Sequence, residues 1–172
     1  MSGKILVAGI GNIFLGDDAF GFEVVNRLRK HPLPDWVTVS DFGIRSYDLA
    51  YALMNDWDLA ILVDALPRGS APGTLYLLEP EVPKNDEGTA TVDAHSMNPV
   101  AVLQLVHAMG GQTGRILVVG CEPATLEPDP QGNFSLSAPV GAAMDEAVRM
   151  IEDLITTTRT ETSVHETKGE TK

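Results

Sequence analysis

Cysteine is almost absent from this chain: Cys121 is the only one among 172 residues, so no disulfide can form within the chain. Disulfides are common in oxidising compartments and rare in the cytosol. The first residues do not look like a secretion signal, because a short apolar run after Lys4 soon meets Gly11, Asn12 and an acidic pair. We therefore expect a protein of the reducing cytoplasm.

Basic side chains are also scarce. Twelve Lys and Arg face 24 Asp and Glu, for a net charge of -12, and no run of basic residues forms a stripe. Nucleic acid and anionic membrane surfaces are thus poor partners, since both require positive charge. No long hydrophobic run is present either, because the longest charge-free stretch, 94–114, contains two His, an Asn and a Pro. We expect no segment that spans a lipid bilayer.

Short apolar runs alternate with helical patterns, which predicts an α/β fold with a sheet covered by helices on both faces. The predicted strands are 4–10, 37–42, 59–64, 74–78 and 115–120. Apolar side chains at helical spacing predict helices in the regions 20–28, 46–54, 99–109 and 140–155. We expect one domain over 1–155, of a size that can bury a single core.

Two segments show neither pattern. Residues 79–95 are rich in Pro, Gly and charge and form a loop long enough to suggest a function. In 156–172, Val164 is the only strongly apolar residue, which predicts a disordered C-terminal tail.

The loop after the first strand reads Gly9-Ile-Gly-Asn-Ile-Phe-Leu-Gly-Asp-Asp18. A dinucleotide-binding loop needs a third glycine where Phe14 stands, and a Walker loop needs Lys and Ser or Thr where the two acids stand. No nucleotide cofactor is therefore expected. The glycines instead allow a sharp turn that places Asp17 or Asp18 over the sheet edge. Alternatively, both acids only cap the following helix.

Asp64 ends the third apolar run, at the edge of a parallel sheet where ligands bind. In a strand order that begins 2-1-3, Asp18 and Asp64 face each other across the point where the order reverses. His95 closes the irregular loop just before the third helix, and a loop that returns to this edge brings its imidazole to the pair. Two carboxylates and one imidazole suit a divalent metal that polarises a carbonyl or activates water.

These residues resemble the hydrogenase maturation endopeptidases over nearly the whole chain. The resemblance rests on Gly9-Ile10-Gly11-Asn12, Asp17-Asp18, Gly21, Asp41, Gly43, Val63-Asp64-Ala65, His95, Gly120, Glu122-Pro123, Leu136-Ser137 and Pro139-Val140. Such enzymes remove a C-terminal extension from the precursor of a nickel–iron hydrogenase large subunit after nickel insertion.

The resemblance implies a three-layer α/β/α sandwich around a twisted, mostly parallel five-stranded sheet of the phosphorylase/hydrolase-like type. It also implies that Asp18, Asp64 and His95 are the catalytic and metal-contacting positions. The metal would be nickel supplied by the precursor, which is the expected partner, and the enzyme is expected to be a monomer. Asp rather than Glu at position 18 shortens that side chain by one methylene relative to some members.

Other interpretations of the residues stay open. Cys121 could act as a nucleophile with His95 or His107 as its base, although the adjacent Glu122 disfavours a thiolate. The chain could instead be a non-catalytic α/β module that binds a metal or small ligand and docks a partner through 79–95. Asp41 and Glu122, which also end strands, are either part of the site or turn residues that shape it.

Overall fold

Five strands form one sheet within the described residues of the computed structural model, which are 3–81 and 97–169, with side chains described up to Thr160. The strands are β1 (Ile5–Ile10), β2 (Val37–Gly43), β3 (Leu59–Ala65), β4 (Leu75–Leu78) and β5 (Arg115–Cys121). Their order is β2-β1-β3-β5-β4, and only the edge strand β4 is antiparallel to its neighbour. The predicted 2-1-3 order and the mostly parallel sheet are confirmed.

Helices cover both faces of this sheet. They are α1 (Phe20–Leu28), α2 (Ser46–Leu53), α3 (Pro99–Ala108) and α4 (Ala138–Gly169), and a short 3-10 helix, Gly16–Ala19, precedes α1. α3 begins where predicted, because Pro99 suits the first turn and the side chain of Asn98 accepts a hydrogen bond from the Ala101 N–H at 2.8 Å. No described helix combines the length and apolar character that crossing a bilayer requires.

The alternation of side chains along the strands divides the core into two layers. On β1, Ile5 and Val7 point to a layer shared with α1 and α4, whereas Leu6 and Ala8 point to one shared with α2 and α3. All residues of β1 and β3 are buried, as is typical of central strands covered on both faces. The predicted three-layer α/β/α arrangement is therefore what the structure shows.

The C-terminal segment differs from expectation: residues 156–169 continue α4 instead of forming a disordered tail. A helix is costly to begin but not to extend, and α4 already starts on a packed apolar face. The Arg159 guanidinium also lies over the Trp36 ring, so this part of the helix has a contact outside itself. Polar composition alone therefore does not predict where this helix ends.

Helix α1 lies unusually close to the strands beneath it because two glycines meet there. A side chain on Gly21 would run into the carbonyl oxygen of Val63 and the backbone of Ile10, and one on Gly9 would reach the Gly21 carbonyl oxygen. The start of α1 therefore rests on the carboxyl ends of β1 and β3. This contact places the 3-10 helix, with Asp17 and Asp18, next to the end of β3.

We predict that Gly21→Ala lowers the free energy of unfolding by about 2 kcal/mol or more, because the added methyl group meets backbone atoms that cannot move aside. Gly141→Ala is the matched control, since Gly141 lies in α4 with open space around it. That change is expected to stabilise the protein by about 0.5–1 kcal/mol, the usual gain for Ala over Gly in a helix. Urea unfolding of both variants measures this, and equal stability of Gly21→Ala and wild type would contradict the close packing.

Candidate active site

Asp18 projects from the 3-10 helix at the carboxyl edge of the sheet. Its carboxylate accepts a hydrogen bond from the Asn12 N–H at 2.7 Å, and the side-chain oxygen of Asn12 in turn accepts one from the Phe14 N–H at 2.9 Å. Asn12 thus holds the turn that the glycines permit. Asp18 itself is only half-buried, which leaves its carboxylate accessible from the edge.

Asp17, its neighbour, has a different role. This carboxylate is completely buried and accepts four hydrogen bonds, from the N–H groups of Ala124, Thr125 and Ser137 and from the Ser137 hydroxyl, at 2.7–3.2 Å. It therefore joins the two ends of the loop between β5 and α4. Neither acid makes a side-chain capping bond to the 3-10 helix or to α1, so the interpretation as plain helix caps is wrong.

Asp64 is the second carboxylate at this edge, and it is almost entirely buried near the end of β3, with 3% of its surface exposed. Burial raises its pKa well above the ordinary value, and the negative charge of Asp18 raises it further, while the Ala65 N–H acts in the opposite direction. Partial burial also raises the pKa of Asp18, against the effect of the Asn12 N–H. The structure therefore brings Asp18 and Asp64 together at the β1–β3 reversal point.

The third predicted site residue, His95, lies outside the described residues, as does most of the 79–95 loop. Among the residues that are described, no group of three His, Cys, Asp or Glu side chains is arranged to hold a metal ion. What the described part of the chain provides is thus a pair of carboxylates rather than a complete ligand set.

Glu122 and Asp41, the other two acids at strand ends, take part in turns. The buried carboxylate of Glu122 accepts hydrogen bonds from the Tyr76 hydroxyl at 2.6 Å and from the N–H groups of Arg68 and Gly69. These bonds, the one from Tyr76 first, lower its pKa. Asp41 accepts a hydrogen bond from the Gly43 N–H at 3.3 Å. Glu122 therefore fixes the loop after β3, next to Asp64, and Asp41 makes a hydrogen bond within its own turn.

Cys121 is poorly suited to nucleophilic catalysis. Its side chain is buried in the core layer of α1 and α4, and burial, with the charges of Asp17 and Glu122, raises the pKa of the thiol to about 11. A thiol with this pKa stays protonated at neutral pH. His107 stands exposed in the last turn of α3, on the other face of the sheet. The structure therefore does not pair Cys121 with His107.

The carboxylate pair has a definite chemical capacity. Two acids that repel each other and are partly shielded from water hold protons more tightly than isolated ones, so a carboxylate here is a better base than usual. A divalent cation between them would relieve the same repulsion. Both properties are useful for breaking an amide bond.

The architecture defines a class: a doubly wound α/β protein with paired carboxylates at the point where strand order reverses. Comparison with known proteins then identifies the protein family within this class. The family model described as hydrogenase maturation protease matches residues 22–154. The chain belongs to the hydrogenase maturation protease family.

Individual relatives agree with this assignment. The chain is 36% identical to the hydrogenase expression/formation protein HupD of Rhizobium leguminosarum over 154 residues, which cover 86% of this chain and 74% of the relative. It is 32% identical to the hydrogenase 2 maturation protease of Escherichia coli over 86% of this chain and 88% of that protein. Among solved structures, the hydrogenase maturating endopeptidase HybD from E. coli superimposes with a TM-score of 0.72 at 29% identity, over 90% of this chain and 93% of that one.

We predict that Asp64→Asn raises the free energy of unfolding at neutral pH, because it removes a charge that is costly to bury beside Asp18. Below the ordinary pKa of 3.8 the carboxyl group is protonated in the folded and the unfolded chain, so variant and wild type should be equally stable there. As the pH rises from 3.8 through the raised pKa of the folded state, Asp64 loses its proton first in the unfolded chain. The free energy of unfolding of wild type should therefore drop below that of the variant.

Urea unfolding between pH 3 and pH 8 measures this difference. Asp35→Asn is the control, since it removes one negative charge from an exposed position and so reports the effect of net charge alone. A stability difference that stays constant across this range, or that shrinks as the pH rises, would show that the charge of Asp64 is not costly in the folded protein.

Proposed function

We propose that this protein is an endopeptidase that removes the C-terminal extension from the precursor of a nickel–iron hydrogenase large subunit after nickel has been inserted. The observation that carries the proposal is the pair formed by Asp18 and Asp64 at the sheet edge, where burial raises the pKa of both carboxylates and the charge of Asp18 raises that of Asp64 further. Family membership supports peptide hydrolysis as the reaction. The HybD structure that superimposes on this chain is itself named a maturating endopeptidase.

Nickel enters this proposal as part of the substrate. The carboxylates of Asp18 and Asp64 supply oxygen donors, and His95 supplies an imidazole nitrogen, a donor set that suits a divalent transition metal. Remaining coordination positions would stay with the precursor's own ligands. A precursor without nickel then lacks the contact that positions its scissile bond, so the metal acts as a checkpoint.

Asp64 is the proposed general base. It is the more deeply buried of the two acids, and a carboxylate has two oxygens, so one can contact the metal while the other accepts a proton from water. The water oxygen attacks the carbonyl carbon of the scissile peptide bond, and the proton taken up by Asp64 passes to the departing amine. Asp18 remains ionised, held by the Asn12 N–H, and contacts the substrate's metal.

We predict that Asp18→Asn, Asp64→Asn and His95→Ala each reduce cleavage of the nickel-loaded precursor by about 100-fold or more, the usual range for loss of a proton-transfer or metal-contacting group. Wild type should cleave the loaded precursor and leave the nickel-free one intact. The measurement is the mass of the large subunit after incubation with each variant. Asp35→Asn is the control, since Asp35 is exposed and lies before β2, away from the carboxyl ends of the strands.

Several outcomes would overturn parts of this scheme. Equal processing of the nickel-free precursor would refute the checkpoint. Full activity of Asp64→Asn would refute its role as base. A stable complex with the precursor that never yields a shortened product would favour the non-catalytic binding module.

We predict that Cys121→Ala keeps full activity, within about twofold, because its thiol is buried and protonated. A loss of about 1 kcal/mol in the free energy of unfolding is expected from the smaller side chain in a packed core. The same precursor-cleavage assay and urea unfolding measure both quantities. An inactive but folded Cys121→Ala, alongside an active Asp64→Asn, would revive the thiol mechanism.

A further inference from the structure

Two phenylalanines stand exposed beside the carboxylate pair. Phe14 is 56% exposed and Phe134 is 67% exposed, and their rings meet edge to face with centroids 5.2 Å apart. We refer to these two residues as the Phe14–Phe134 ridge. Large apolar side chains that stay in water and contact one another often mark an interaction site.

Asp18 and its neighbour Asp17 each bind one of the two loops that carry the ridge. The N–H of Phe14 donates to the side-chain oxygen of Asn12, and the N–H of Asn12 donates to the Asp18 carboxylate. Two hydrogen bonds therefore connect the backbone of Phe14 to Asp18. The loop that carries Phe134 is fixed at both ends by the buried Asp17 carboxylate, through Ala124 and Ser137.

The two loops also touch directly. A side chain on Gly16 would run into the carbonyl oxygens of Thr125 and Glu127, and the N–H of Asp17 donates to the Thr125 carbonyl oxygen at 2.9 Å. The ridge is therefore built on two loops that are bonded to each other, and binding a partner costs less entropy when the contacting surface is already ordered.

The chemistry around the ridge indicates what it contacts. The Phe134 loop also carries Leu126, Glu127 and Asp129, all exposed, so apolar surface is bordered by negative charge. The chain as a whole carries a net charge of -12. A matching partner surface is apolar with Lys or Arg at its rim.

We propose that the Phe14–Phe134 ridge docks the folded large-subunit precursor, through an apolar patch with a basic rim next to the segment that carries the metal. This inference rests on the proposed function and adds the surface by which the substrate is recognised. Both rings are more than half exposed, so the ridge presents apolar surface outward, which fits the surface of a folded partner. Aromatic residues are also enriched at the centres of protein interfaces.

The test compares Phe14→Ser, Phe134→Ser and the double variant with Tyr51→Ser, which removes an equally exposed aromatic ring from α2. The nickel-loaded precursor is the probe, and KM and kcat for its cleavage are measured separately. The double variant is expected to raise KM about tenfold or more, as loss of an aromatic anchor does, with kcat within about twofold of wild type. Phe134→Leu should restore much of the affinity, and Tyr51→Ser should change neither constant.

A second measurement separates docking from catalysis. Binding of the precursor to Asp64→Asn is compared with binding to the same variant that also carries Phe14→Ser and Phe134→Ser, with thermal unfolding as the check on folding. If the ridge changes weaken binding although wild type never cleaves the precursor, the docking surface stands and the proposed function fails. If wild type cleaves the precursor and the folded double variant keeps its KM and affinity, the docking surface is refuted and the proposed function stands.

A second copy of this chain is the other partner that the Phe14–Phe134 ridge could bind. Light scattering on wild type and on the double variant determines the mass of each in solution. A wild-type dimer that dissociates in the double variant, with KM unchanged, would show that the ridge binds a second copy of this chain and would overturn the proposal.

Discussion

The contact between α1 and the carboxyl ends of β1 and β3 is the constraint on which the site depends. Gly9 and Gly21 leave no side chain between the helix and the strands, so the backbone of α1 rests directly beside Ile10 and Val63. The residues just before α1 are thereby brought to the residue just after Val63. A larger side chain at either glycine would lift the helix and separate Asp18 from Asp64.

The buried acids among the described residues differ in the charge of their surroundings. Asp17 accepts four hydrogen bonds, and Glu122 accepts bonds from a hydroxyl and two backbone N–H groups. Asp64 is equally buried, but its main electrostatic partner is another carboxylate, and its pKa is raised well above the ordinary value. A buried carboxylate with a raised pKa destabilises the folded state, and such groups are typical of functional sites.

Asp17 and Glu122 also explain why the loops around the pair are ordered. Asp17 closes the loop between β5 and α4, and Glu122 closes the loop between β3 and β4. Both loops border the edge at which Asp18 and Asp64 meet. The acids with structural roles thus shape the rim, while the pair stays available for chemistry.

Much of the architecture was predictable from the residues. Apolar runs marked the five strands to within one residue at each end. The signal is continuous in β1, β3 and β5 because these parallel strands are buried on both faces. The helical extent of 156–169 was not predictable, since extending a formed helix needs little from its own side chains. The ridge was also missed, because single aromatic residues in loops carry no periodic pattern.

The sequence by itself determined the α/β class, the strand positions and the presence of acids at the strand ends, because these follow from local periodicity and from which residues end apolar runs. Without the family resemblance, it did not distinguish Asp17 from Asp18. Only the tertiary structure decided that Asp17 turns inward to the 122–137 loop, while the Asn12 N–H holds Asp18 at the edge near Asp64. The physical reason is that the groups that bind the Asp17 carboxylate, Ala124 and Ser137, lie more than 100 residues away in the chain, so no local pattern identifies them.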